Sequence, residues 1–414
     1  MRPALAASAA ALAAATAAVV LVPAASAGTA PAATAATAAT AATKSTASTA
    51  STGTGPYTRW SAVGAGSPLS AREFATTVWT GKEVLVLGGD TYPCAPNAKC
   101  AAPTDPPLAD GAAYNPLTKK WRKIAASPLP VPHASAVAAG RYVYALIEPD
   151  YNLETFAPQH QTFTRYDLAK DSWKVFTRPP SEYADLTLAT VGGQVLAYHG
   201  AKSATADRDF AWDAAAHAWR KLPADPKGPF DARVVLDVRG AAVVLGTKPD
   251  TPAGAGRPVP TIASRLDPAT RTWRAYRPSK VAADAPAWWS AHGRAVNATG
   301  GAAGPYALGG VLDPATGAWS ALPARPATTD HPDVAFGWAQ AAGGDYVVAG
   351  RYALDTATMA WRRIGAYPAL RGYLQGPSVV WAGDRLFVWG GAMFPDGTGP
   401  RGLRTVGWTW SPTS

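Results

Sequence analysis

The side chains best suited to chemistry are few, and their spacing limits what they can do. The chain of 414 residues has two cysteines, Cys94 and Cys100, in the segment TYPCAPNAKC. There is no CxxC pair, and two cysteines alone make a poor zinc site. Six positions apart in a Pro-containing loop of a chain with an export signal, they predict one disulfide. A loop that short adds about 2 kcal/mol of stability. The six histidines (His133, His160, His199, His217, His292 and His331) form neither HxH nor HExxH. A metal site built from His133, His199 and His331 would need three separate parts of the chain to converge, so no metal ligand is assigned. No GxSxG elbow or phosphate loop is present. Twelve further residues stand just ahead of strand-length apolar runs: Arg72 and Glu73, His133, Tyr183 and Asp185, Asp231 and Arg233, Trp288 and Trp289, Asp333, Tyr373 and Gln375. Charged groups and amides bind hydroxyls, while aromatic rings stack on CH faces. Brought together, these residues would suit a polar ligand with flat apolar faces, such as a sugar. Glu73, His133 or Asp185 could serve acid–base chemistry, but no motif selects them and no catalytic residue is assigned.

A repeat must position these residues. YNPLTKKW (Tyr114–Trp121) returns as YDLAKDSW ending at Trp173, WDAAAHAW at Trp219, LDPATRTW at Trp273, LDPATGAW at Trp319 and LDTATMAW at Trp361. A bulky residue is followed by Asp or Asn, and by Trp seven positions on. Ahead of each copy comes an apolar run, most of them ending in Gly, of which VLVLGG (Val84–Gly89) is the clearest. A turn glycine and an earlier apolar run precede most of those. One unit is therefore four antiparallel strands. Such a meander cannot hide both faces alone, and stacking units around an axis buries them. The Trp is expected to pack between neighbouring units, and the Asp or Asn to cap the turn before it.

These residues resemble the Kelch repeat. VLVLGG…YNPLTKKW in the first unit and RLFVWGG in the last carry its double glycine, and the bulky-Asp…Trp spacing is similar to the family's. The resemblance covers Tyr57 to the C-terminus and implies an all-β fold, a seven-bladed Kelch-type β-propeller over residues 56–414. Trp408 is expected at the bulky position of a last, incomplete copy, and Trp60 as the Trp that completes that blade and closes the ring. Unit five is the weakest, because Ala295–Gly301 (AVNATGG) is a poor strand, and six blades is the alternative. In such a fold the twelve residues would ring one mouth of a central channel, as ligand contacts or as its plug. Galactose oxidase, a copper-radical enzyme, has a similar propeller. Its copper needs two His and two Tyr, one Tyr joined to a Cys, and that set is not evident here.

The rest of the chain sets the context. Residues 1–27 read as a secretory signal, with an apolar run to Val22 and Ala25-Ser26-Ala27 as the cleavage site. The run is too short and Ala-rich for stable membrane insertion. Residues 28–55 are almost all Ala, Thr, Ser, Pro and Gly, the composition of a disordered linker. The net charge is +10, of which Arg2 and Lys44 supply two. There is no Lys/Arg run, which argues against nucleic acid as partner. The expectation is a secreted, extracellular monomer, with cell-wall association an open alternative. It binds a carbohydrate or a protein partner without catalysis and without a cofactor. A copper oxidase of the galactose oxidase type and a cell-envelope structural protein are the alternatives.

Overall fold

The computed structural model describes residues 60–412 except 65, 93–105, 149–159, 182–185, 201–208, 231, 249–259, 268, 280, 283–286, 299–301, 304–305, 327–339, 350–351, 366, 369–372 and 395–401. The signal, the linker and both cysteines lie outside the described residues, as do most of the three long loops after Asp90, Glu148 and Thr247. Among the described residues there is no α-helix, and seven antiparallel sheets have four strands each. Sheet 1 is Thr76–Trp79, Val84–Leu87, Gly111–Asn115 and Lys120–Ile124. Sheet 2 is Ala134–Ala139, Tyr142–Ile147, Thr162–Asp167 and Ser172–Phe176. Sheet 3 is Leu186–Val191, Gln194–His199, Phe210–Asp213 and Ala218–Lys221. Sheet 4 is Ala232–Val238, Ala241–Thr247, Ile262–Asp267 and Thr272–Ala275. Sheet 5 is Trp288–Ala291, Arg294–Asn297, Gly310–Asp313 and Ala318–Ser320. Sheet 6 is Gln340–Gly343, Tyr346–Ala349, Tyr352–Asp355 and Ala360–Arg363. Sheet 7 is Ser378–Ala382, Arg385–Trp389, Gly407–Trp410 and, from the other end of the chain, Trp60–Ala62.

The second strands explain why the sheets stack. Val84–Leu87 is buried at every position. Successive side chains point to opposite faces: Val84 and Val86 pack into a core shared with sheet 7, Leu85 and Leu87 into one shared with sheet 2. A strand buried on both faces reads as a continuous apolar run rather than an alternating one. The core among the described residues is divided in this way, one apolar layer at each junction between neighbouring sheets, including the junction of sheet 7 with sheet 1. The first strands lie side by side in the same order, and that of sheet 7 lies beside that of sheet 1.

The repeated motif does two jobs. In each copy the acid or Asn accepts backbone N–H bonds two or three residues on: Asn115 from Leu117 and Thr118, Asp213 from Ala215 and Ala216, Asp355 from Ala357 and Thr358. That closes the turn before the Trp strand. Each Trp then donates its indole N–H across a sheet junction. Trp121 reaches the Gly64 carbonyl at 3.2 Å, Trp173 that of Ala125 at 2.9 Å and Trp219 that of Thr177 at 3.0 Å. Trp273 reaches Pro223 at 3.0 Å, Trp319 Arg277 at 3.1 Å and Trp361 Pro323 at 2.9 Å. Trp60 makes the same bond, at 2.8 Å, to Gly365 of sheet 6. In every case the acceptor lies four residues beyond the Trp of the preceding sheet.

Two expectations change. The bulky residue of each copy pairs across the turn with its Trp, as Tyr114 does with Trp121. In sheet 7 the residue paired with Trp60 is Trp410, whereas Trp408 pairs with Ala62. Trp410, not Trp408, therefore holds the bulky position. Both residues lie on one face of the strand, so a period of two could not separate them. In unit five, Arg294–Asn297 is a regular strand, paired on both sides. Neighbouring strands override its weak local preference.

Buried tyrosines tie this packing to pH. Burial pushes the phenols of Tyr166 and Tyr198 up to about 12, and it raises Tyr367 as well. An unfolded tyrosine ionises near pH 10. The unfolded chain therefore gives up these protons first, and the stability they contribute, complete below pH 10, is lost as pH rises toward 12. Phenolate absorbance at 295 nm should rise together with loss of the β-sheet circular dichroism in that window. A phenolate signal complete near pH 10 in still-folded protein would contradict this burial.

Candidate functional site

Of the twelve residues, those the structure describes stand at or just ahead of first strands, and they divide into two kinds. Arg72 is 1% exposed. Its guanidinium grips Asp110 with two bonds of 2.6 and 3.1 Å, and it also donates to the Gly88 carbonyl, the Ser70 carbonyl and the Ser70 hydroxyl. All five donors of an arginine are thereby used. Arg233 holds Asp209 in the same forked manner and donates Nε–H to the His199 carbonyl at 2.7 Å. Its backbone N–H binds the Gly200 carbonyl at 2.9 Å, so this residue of sheet 4 ties down the end of a sheet 3 strand. Trp288 is buried against Trp319, with ring centroids 5.9 Å apart. Trp289 packs against the apolar layer between sheets 5 and 6. These four residues are parts of the scaffold.

Glu73, His133 and Gln375 are arranged differently. The Glu73 backbone makes a two-way bridge with Asp90, both bonds 2.9 Å. Its buried carboxylate accepts 3.1 Å from the Gln375 amide, which belongs to the short strand Tyr373–Gln375 leading into sheet 7. Next to Glu73 stands Phe74, 41% exposed, with φ = 55°. Its N–H donates 2.7 Å to the Gly376 carbonyl, and its ring meets the exposed ring of His133 edge-on, centroids 5.8 Å apart. Gly376 is required there: a Cβ on it would sit 3.0 Å from both Glu73 and the Phe74 ring. The segments leading into sheets 7, 1 and 2 thus contribute to one patch.

Phe74 was invisible in the sequence. Its left-handed backbone costs an L-residue about 1–2 kcal/mol. The other non-glycine residues of positive φ among those described sit in hairpin turns: Lys119, Asp171, His217, Arg271 and Met359 before the repeated Trp, and Arg239 and His292 between first and second strands. Phe74 belongs to no such turn. Strain of this kind at a bulky exposed residue is typical of ligand contacts. Among the described residues the patch offers an apolar ring and an imidazole. It can stack and hydrogen-bond a neutral ligand.

Tyr183, Asp185, Asp231 and Asp333 lie outside the described residues, as does His331, and of Tyr373 only the backbone is placed. Among the described residues no group of three or more His, Cys, Asp or Glu could hold a metal ion. Fold and patch together define an all-β protein of stacked four-stranded sheets with an exposed aromatic patch at one end of its first strands. No protein-family model matches the chain, and no curated protein matches it.

Proposed function

We propose that the chain is a secreted Kelch-type β-propeller of seven blades, closed by Trp60–Ala62, that binds a carbohydrate without catalysis at the end where its first strands begin. The seven sheets, their shared core layers and the seven indole bonds support the propeller. The observation that carries the binding reading is Phe74, exposed in a strained conformation between sheets 7, 1 and 2. Aromatic faces stack on sugar CH faces, and the Arg72 guanidinium beside the patch is fully engaged with Asp110, Ser70 and Gly88.

A glycan array followed by titration of the best hit tests this. Phe74→Ala should weaken binding at least about tenfold, a loss of roughly 1.4 kcal/mol. Phe74→Gly should weaken it equally while leaving the fold as stable as before, because glycine relieves the left-handed strain. Stability lost together with binding in Phe74→Gly would make Phe74 a packing residue. Binding that is unchanged in both variants, or that goes to a protein partner and to no glycan, would overturn the proposal.

A further inference from the structure

The fourth strands carry a cation directly after the repeated Trp in five sheets: Arg122, Lys174, Arg220, Arg274 and Arg362. Three of these are neutralised. Arg122 pairs with Glu83, Arg220 with Asp213 and Arg362 with Asp355. The residue opposite each on the third strand is an alanine, Ala113, Ala211 and Ala353. Sheets 2 and 4 differ. Lys174 lies directly opposite Arg165, and Arg274 directly opposite Arg265. Like charges so placed repel and destabilise a sheet. Among the described residues, none of these four side chains has an ion-pair or hydrogen-bond partner. Asp167, the acid of the sheet 2 repeat, binds Arg141 instead, and Asp267 of sheet 4 accepts the amides of Ala269 and Thr270.

The same two sheets carry an aromatic residue three positions past the Trp, Phe176 and Tyr276, where sheets 1, 3 and 6 have Ile124, Leu222 and Ile364. Side chains alternate between faces, so this ring shares a face with the cation after the Trp. The Lys174 ammonium is 4.9 Å from the Phe176 centroid, and the Arg165 guanidinium is 4.9 Å from Phe176 and 4.1 Å from Tyr142. The Arg274 guanidinium is 5.9 Å from the Tyr276 centroid. The rings hold the cations in place without supplying a counter-charge. Opposed cations and a supporting ring thus occur together, twice. We infer that each pair is a seat for one oxyanion, and that the two seats bind an acidic polysaccharide whose carboxylates recur along its chain. A guanidinium fork matches a carboxylate, and a carboxylate shared by the two cations offsets their repulsion. Two like seats on one molecule suit a polymer, because linked contacts reinforce each other. The choice of a polysaccharide rests on the proposed secretion, whereas the seats themselves stand apart from the Phe74 patch.

Titration of the full chain with polygalacturonate tests it, at physiological ionic strength, where a charge acts over about 8 Å. Methyl-esterified polygalacturonate has the same sugars without the charge and should bind at least about tenfold more weakly. Arg165→Gln with Lys174→Gln should weaken binding of the acid at least about tenfold, the loss expected when one of two linked contacts is removed. Arg265→Gln with Arg274→Gln should do the same, so the test holds if one variant does not fold. Lys82→Gln with Lys120→Gln removes the same charge from sheet 1 and should change the affinity less than about twofold, because distant exposed charges are screened. No binding to the wild type, or undiminished binding in whichever pair variants fold, would overturn the inference. An equal loss in the Lys82, Lys120 variant would make the binding an effect of net charge and overturn it too. Equal affinity for the methyl ester would place recognition on the sugar faces and not on the cations. Tighter binding of polyphosphate than of polygalacturonate would overturn the choice of a carboxylate polymer.

Discussion

Arg233→Ala lowers the unfolding free energy by about 3–5 kcal/mol, the usual cost of removing one partner from a buried ion pair. The side chains of Arg233 and Asp209 are 1% and 8% exposed. Removing the guanidinium takes two hydrogen bonds from the buried Asp209 carboxylate and one from the His199 carbonyl. It also empties the space between the rings of Tyr198 and Phe230, each within 6 Å of the guanidinium carbon. Urea denaturation would read the loss as a lower midpoint at unchanged slope. The double variant Arg233→Met, Asp209→Leu should recover most of it, because a buried pair exchanged for apolar side chains of similar size is often neutral. If Arg233→Ala costs less than about 1 kcal/mol, well below the expected range, the guanidinium is not holding the two sheets together and is available to a ligand after all.

This pair shows where sequence reading stopped. Asp209 lies 24 residues from Arg233, and Asp110 lies 38 from Arg72, each acid standing just before the third strand of a sheet. A variable loop separates that acid from the strand before it, so no fixed spacing reveals the partner. The arginines looked free to bind because only their own local sequence was legible. The Trp motif was legible for the opposite reason: acceptor and donor recur at one offset in every unit, so the spacing itself carries the contact. Phe74 escaped for a third reason. Its backbone angle is set by the Gly376 carbonyl, some 300 residues away in the chain, and the tetrapeptide AREF around it resembles the start of any strand.

Trp60→Ala should cost about 3 kcal/mol, the lower end of the range for truncating a packed Trp, because Trp60 is only partly buried. Its ring meets Tyr367 edge-on with centroids 5.2 Å apart, and it packs with Trp410 in the layer between sheets 6 and 7. Trp60→Phe keeps a ring in that layer and loses the bond to Gly365, so it should cost about 1 kcal/mol beyond its smaller size. The informative comparison is Trp219→Ala, a mid-chain copy of similar burial whose indole makes the same junction bond. In a closed ring the two losses are alike, since Trp60 supports a junction like any other. If the first strand were only a loosely attached terminus, Trp60→Ala would cost a few tenths of a kcal/mol while Trp219→Ala cost its full share. Removing residues through Ala62 carries the argument further. Three paired positions on Gly407–Trp410 would lose their partners, together with the Thr409 hydroxyl bond to Ser61. That exposes the edge of a strand carrying Trp408 and Trp410, which is the condition for edge-to-edge association. Light scattering should then show concentration-dependent oligomers well below the temperature at which the full chain unfolds. A truncated chain that stays monomeric and melts where the full chain does would mean that Trp60–Ala62 closes nothing.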